Sequence, residues 1–454
     1  MSASPARSNA MTTGSLRKNI LLFSLPLMAS QLLQVLFNLA DVAVVGKFSG
    51  AIALGAVGST TILVTLFTGL LIGLGSGVNV RIAQFLGAGQ EDDTRETVFN
   101  ALVICVVAGV LLGAVGVTLA RPMLTLIRTK AELIDGAVLY FRIYALGMPA
   151  VGLFNFGNAV LSAEGDTRRP LVYLTVAGVL NVILNLVFVL GCGMAADGVA
   201  LASVISQIVS ALLVTWRLMR SKSACRLTLR RARLCRDKLS CILVLGLPAG
   251  LQNAIFAVAN LFIQAAVNSF DHVMVEGNSA AANADAIVYN VMAAFYVACS
   301  TFMGQNYGAG QMKRVKQSYI ISLIYSFTAG AVLGGLLIVF GRQFLALFTN
   351  DAAVADAGMH RLLIMSFSYM ISAFMDCTIA ASRGLGKSFV PTVTVILGSC
   401  VFRVLWVYTV FAAFRTIPSL YLLYAASWTL TAAAEIVYFV HAYRQAAAAE
   451  QAAA

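Results

Sequence analysis

Charge is what this 454-residue chain has least of: Asp, Glu, Lys and Arg together make up only 11% of it. A soluble domain carries about 25% charged residues, so soluble enzymes and soluble binding modules are excluded. Histidine is scarce as well. Its three residues (272, 360, 441) fall near the ends of apolar segments, where a surface role is expected rather than metal ligation. The eight cysteines form no CxxC pair and no regular framework, so reduced, structural thiols are expected, with no metal site and no cofactor. The first fifteen residues lack the apolar core of a signal peptide. Glu91-Asp92-Asp93 reads as a solvated loop cluster rather than a metal site, and the acid clusters or His–acid pairs that a membrane-embedded transferase would show at one membrane face are not expected here. The net charge of +12 raises nucleic acid as a partner, but no basic patch is interleaved with stacking aromatics. No nucleic acid is therefore expected.

What the chain does have is apolar length: 60% of it is hydrophobic, with a mean hydropathy of +0.87. Windows long enough to cross a bilayer fall at about 17–40, 52–80, 97–120, 134–157, 170–190, 194–218, 240–268, 280–303, 318–341, 358–382, 389–413 and 418–442. No barrel-type alternation appears, and only helices or closed barrels satisfy backbone groups in lipid. The expectation is an all-α membrane protein of twelve spans. Twenty-two lysines and arginines lie on the side that carries both termini, against six on the other. The positive-inside rule then places both termini in the cytoplasm of an inner-membrane protein. The predicted division is a tail at 1–18, a first lobe at 19–219, a basic linker at 220–239, a second lobe at 240–442 and a tail at 443–454. The alanine-rich stretch 445–454 is low-complexity and carries no fold information.

The two halves repeat. AQFLGAGQ (83–90) matches GQNYGAGQ (304–311), RPMLTLI (121–127) matches RQFLALF (342–348), and Gly165-Asp166-Thr167 with Pro170 matches Gly386-Lys387-Ser388 with Pro391, all 221 residues apart. Ordered matches at one offset indicate a duplication of six spans. Six is an even number, so the halves insert the same way up, an arrangement that places substrate sites between or within them. Gly69, Gly73 and Gly77, four residues apart, suit close helix packing.

The first span carries Gln31, Gln34, Asn38 and Asp41 on one helical face. An Asp at mid-span costs roughly 2.5–3.5 kcal/mol, so it faces a partner or water. The stripe reads as a cavity wall; alternatively, the amides bind neighbouring helices and Asp41 is interfacial. The seventh span has its own stripe (Asn253, Asn260, Gln264, Asn268) without an acid. In the fourth and tenth spans the asymmetry reverses, Asn155 matching Asp376. Each half is thus read as keeping one intramembrane carboxylate. Asp376 is open to three readings: a second coupling acid, a cation contact, or a partner of Arg383. Tyr296, Phe256 and Phe295, with nearby methionines, suit a deformable cavity lining or ordinary packing.

Leu25-Pro26, Asn38, Asp41 and Gly46, the paired GAGQ loops and the paired GDT..P and GKS..P loops resemble the multidrug and toxic compound extrusion (MATE) transporters over residues 17–442. The resemblance implies two pseudo-symmetric six-helix lobes around a V-shaped cavity, and antiport of a small-molecule substrate, usually a cationic, amphipathic drug. It implies a coupling site in the first lobe at Asp41 with Asn38, Asn181, Asn185 and Ser203. Gln31, Gln34, Asn155, Asn253, Asn260, Gln264, Tyr296 and Asp376 are the expected cavity residues. The chain has Asn185 where an Asp is common, Ser203 where a Thr is, and no seventh-span Glu. A proton is therefore the expected coupling ion and sodium the alternative. A monomer in the bilayer is expected. A lipid-linked saccharide flippase of the same superfamily is the nearest alternative, opposed by the few cations within the spans.

Overall fold

The computed structural model describes residues 11–228 and 233–453. Arg7, Arg230, Arg231 and the Ser8-Asn9-Ala10 stretch lie outside the described residues, as do the matching parts of the tails and linker. Everything regular among the described residues is helical: α1 Leu16–Phe48, α2 Gly50–Gly87, α3 Glu91–Leu126, α4 Ala131–Leu146, α5 Met148–Glu164, α6 Arg168–Gly191 and α7 Ala196–Met219. After the linker come α8 Arg236–Val267, α9 His272–Gly308, α10 Met312–Leu345, α11 Ala352–Gly384, α12 Phe389–Phe414 and α13 Ile417–Ala453. Eleven of these are each long and apolar enough to span a bilayer, and α4 with α5 makes a twelfth bent span. Large apolar side chains such as Leu111 (60% exposed) and Val339 (68% exposed) on the outer faces suit a lipid solvent.

The chain divides into two compact units, one comprising Ala29–Ala254 and the other Ile255–Ala454 together with Asn9–Met28. Leu71, Ile82, Phe141 and Phe156 anchor the core of the first; Met292, Met303, Tyr421 and Leu423 anchor that of the second. The start of α1 thus belongs to the unit built from the second half, and the start of α8 to the unit built from the first. Gly73 and Gly77 explain the latter. A Cβ on Gly73 would sit 2.1 Å from the Gly250 nitrogen, and one on Gly77 2.5 Å from the Gly246 nitrogen. Glycine on both helices lets the backbones of α2 and α8 touch.

The duplication is visible in the backbone. Left-handed Gly89 (φ 69°) recurs as Gly310 (φ 68°), and Gly165 (φ 94°) as Gly386 (φ 81°). These are turn positions that a side chain resists. The repeat breaks in the fourth span. α4 and α5 meet at Gly147 with a 45° bend, because Pro149 supplies no amide donor to the turn before it. Its counterpart is Met370, and α11 runs straight through.

Three expected boundaries are corrected. The expected tail at 443–454 is a continuation of the last span, since α13 runs to Ala453. Alanine is the strongest helix former, the Tyr443 hydroxyl donates to the Met312 carbonyl at 3.1 Å, and Ala446 and Ala447 pack on the second core. Residues 11–18 are not a free tail, since Met11 and Leu16 are buried against Ala294, Ala298 and Phe302. The linker 220–239 is shorter than expected, because α8 starts at Arg236 and Cys225 and Leu227 pack into the first core.

Candidate functional site

Asp41 of α1 is held by two further helices of the first unit. The Asn185 amide of α6 donates to Asp41 Oδ1 at 2.5 Å, and the Ser203 hydroxyl of α7 donates to Asp41 Oδ2 at 3.3 Å. Asn181, one turn before Asn185, donates to Ser203 Oγ and accepts from Asn185 Nδ2, both at 3.3 Å. The i, i+4 spacing on α6 aims both amides the same way. Asn185 is fully buried, with Asn181 and Ser203 nearly so. Gly178 lets α6 approach α1, since a Cβ there would overlap the Phe37 ring at 1.8 Å. Among the described residues Asp41 has no ion pair; its donors are all neutral. Tyr140 and Tyr144 of α4, with stacked rings 6.2 Å apart, lie within its electrostatic reach. These tyrosines were missed in the sequence, where only their i, i+4 spacing marks them.

The other expected residues are not gathered there. Asn38 is exposed and makes no hydrogen bond to the cluster. Gln34 is exposed and Gln31 half-buried on α1. Asn155 donates to the Val151 carbonyl of its own helix at 2.9 Å. Asn253 donates to the Gly69 carbonyl at 3.1 Å, beside the glycine seam of α2 and α8. Asn260 is exposed, and Gln264 is exposed and bonded to Asn268 at 2.9 Å. Tyr296 is buried near Asp376 in the second unit.

The reading of one intramembrane carboxylate per half is overturned. The second unit holds three: Asp285 on α9, Asp376 on α11 and Glu435 on α13. Asp285 pairs with Arg361, its Oδ2 accepting from Nε at 3.0 Å, and also accepts from Tyr369. Arg361 Nη1 reaches Asn278 Oδ1 at 2.6 Å, which the Tyr421 hydroxyl also meets at 2.8 Å. Asp376 and Glu435 share the field of Arg383, and Arg403 also acts on Asp376. The π turns of α12 (Ile396–Val401 and Val407–Phe411) flank Arg403, whose Nε donates to Ser427 Oγ at 3.1 Å. Of the three carboxylates only Asp285 is in an ion pair, with Arg361, among the described residues. Both oxygens of Asp41 accept from neutral donors, so its carboxyl can hold or lose a proton without stranding a cationic partner.

Long apolar helices in two repeated halves, with ionisable groups buried inside each, define a polytopic membrane transporter rather than an enzyme. The MatE family profile matches twice, at 26–187 and 248–409, and the chain belongs to the MatE family. It is 28% identical over 386 residues to the "Probable multidrug resistance protein YoeA" of Bacillus subtilis, covering 84% of this chain and 83% of that one. It is 27% identical over 343 residues to the "FAD transporter" of Shewanella oneidensis, covering 73% and 74%. The fold is that of a solved "multidrug resistance MATE family transporter of the MOP superfamily", with a TM-score of 0.91, 21% identity, and 98% and 99% of the two chains covered.

Proposed function

We propose that this transporter exports amphipathic, cationic compounds in exchange for protons, with Asp41 as the exchanged site. The observation that carries the reading is a carboxylate held only by neutral donors. Protonation removes its charge without stranding a cationic partner. α1 can then repack and release a bound cation, and loss of the proton restores the cation's counter-charge. Both oxygens of Asp41 accept bonds from Asn185 and Ser203, an orientation opposite to that of a sodium shell, whose ligands present lone pairs to the ion. Export of drugs is supported by relatives named as multidrug resistance proteins. The relative named as an FAD transporter, and the buried Arg383 and Arg403 of the second unit, favour a second reading in which the cargo is an aromatic anion. An inner-membrane monomer with both termini cytoplasmic completes the proposal.

The test is purified protein in liposomes with a pH difference or a sodium difference imposed separately. Accumulation of a cationic dye with the pH difference alone supports the proposal. Accumulation with sodium alone, or of flavin nucleotide but not the dye, overturns it.

A further inference from the structure

The strip that precedes and begins α1 does more than start a helix. Arg314, near the start of α10, donates from Nη1 to the Gly14 carbonyl at 3.0 Å and from Nη2 to those of Met11 and Thr13, both at 3.2 Å. Its Nε donates to Asn306 Oδ1 at 3.0 Å, and Asn306 Nδ2 donates to the Met11 carbonyl at 3.1 Å. The Tyr325 hydroxyl donates to the Arg17 carbonyl at 3.3 Å. Between the strip and α10 lies a cavity of about 740 Å³, within the ~300–1,000 Å³ that holds a whole small molecule.

The lining combines two arginines with an apolar stripe. Arg17 of α1 and Arg314, Gln317, Ile320, Ile324 and Tyr325 of α10 line the cavity. Gln317, Ile320 and Ile324 recur at helical spacing, so they form one stripe. Ile320 is 40% exposed and Ile324 54%. From Arg314 to Ile324 the helix rises ~15 Å at 1.5 Å per residue, half of the ~30 Å hydrocarbon core and so the depth of one leaflet. Lys18, Lys313 and Lys316 are exposed on the same two helix starts, and no acid lines the cavity. Glu450 lies near this end, against Gly310 and outside the lining. The repeat supplies an internal contrast: α3, the counterpart of α10, starts with Glu91, Asp92 and Asp93, and Asp93, the match of Arg314, pairs with Lys238.

We infer that this groove is a binding site for an anionic phospholipid, its phosphodiester at Arg17 and Arg314 and one acyl chain along Ile320 and Ile324. Arg17 supplies the direct contact, because the Arg314 donors are largely committed to the carbonyls of residues 11–14. A headgroup there would sit on the α1 strip and favour its attachment to α10.

The test is native mass spectrometry of the full-length protein in detergent, titrated with dioleoyl phosphatidylglycerol, dioleoyl phosphatidylcholine or glycerol phosphate. Phosphatidylglycerol should be retained over phosphatidylcholine. Arg17→Gln should weaken its retention about fivefold, the ~1 kcal/mol that one interfacial cation contributes. Ile324→Trp, which fills the chain track, should weaken it too, and Lys387→Gln on a distant loop should not. Thermal midpoints of each variant show that it is folded; if Arg17→Gln is not, Ile324→Trp decides. Equal retention of both lipids overturns the inference, as does equal loss in Arg17→Gln and Lys387→Gln, which would mean diffuse charge. Displacement of the lipid by glycerol phosphate at matching concentrations would also overturn it, as a plain anion site.

Discussion

Asp41→Asn tests the exchange mechanism most directly. The substitution removes one carboxylate oxygen's charge and leaves a side chain of the same shape between Asn185 and Ser203. The Asn185 amide can still donate to the remaining oxygen. The Ser203 hydroxyl must turn from donor to acceptor, so the cost is about one hydrogen bond, ~1 kcal/mol, and the protein should insert and fold. Transport should change far more. For one proton against one monovalent cation, a one-unit pH difference sustains a roughly tenfold concentration ratio, ~1.4 kcal/mol. An amide can neither carry that proton nor supply the cation's counter-charge, so the ratio should collapse to one. Two protons per cation would add ~2.3 kcal/mol per 100 mV, which a potassium–valinomycin potential would reveal in the unmodified protein. Dye accumulation is read by fluorescence quenching in proteoliposomes. A variant that still accumulates dye tenfold refutes the reasoning, most sharply if Asp376→Asn is the one that abolishes accumulation.

Ser203→Ala removes one 3.3 Å bond to the carboxylate and should alter the pH dependence of efflux without stopping it. Asp285→Asn leaves the buried Arg361 without its counter-charge, a loss of ~3–5 kcal/mol that should lower the thermal midpoint in detergent sharply. Gly73→Ala places a Cβ against the Gly250 backbone and should destabilise the fold by at least ~1–3 kcal/mol, read in the same assay. Cys192 is exposed and Cys235 half-exposed, whereas Cys225 is buried, so an impermeant maleimide should reach the first two from opposite sides of the membrane and label Cys225 only after unfolding. Desolvation and the neighbouring Glu96 raise the Cys235 thiol above its ordinary value; less of it is thiolate at neutral pH, so its labelling should be slow there, climb as pH rises, and quicken in Glu96→Gln.

The spans and the duplication were legible because both are written in residue type: apolar length for the first, turn glycines such as Gly89 and Gly310 for the second. The proximity of Asp41, Asn181, Asn185 and Ser203 rested on i, i+4 spacing plus the family resemblance, and the structure shows that proximity; their role is the proposal above. Other features depended on partners that spacing does not reveal. Asn253 looked like a cavity residue, but its amide is committed to Gly69, 184 positions away. Asp285 and Glu435 were hidden inside otherwise apolar windows, and their arginine neighbours come from other helices. The bend at Gly147 was announced by Pro149, yet a hydropathy window averages such a residue away. The alanine tail offered no pattern at all, and its helix is held by contacts to Met312 and the second core.

The assignment of Asn9–Met28 to the second unit has a consequence for biosynthesis. Met11 leaves the ribosome first, but Asn306, which binds its carbonyl, is 295 residues behind. At ~5–20 residues per second that delay is roughly 15–60 s. Phe23 waits equally for its edge-to-face partner Phe302. Over that interval the start of α1 lacks its α9 and α10 partners, although α6 and α7, which meet Asp41, are already made. The start of α1, made well before α9 and α10, is therefore completed only after them, and nascent chains arrested before α10 should leave the Met11–Gly14 strip open to proteolysis that full-length protein resists.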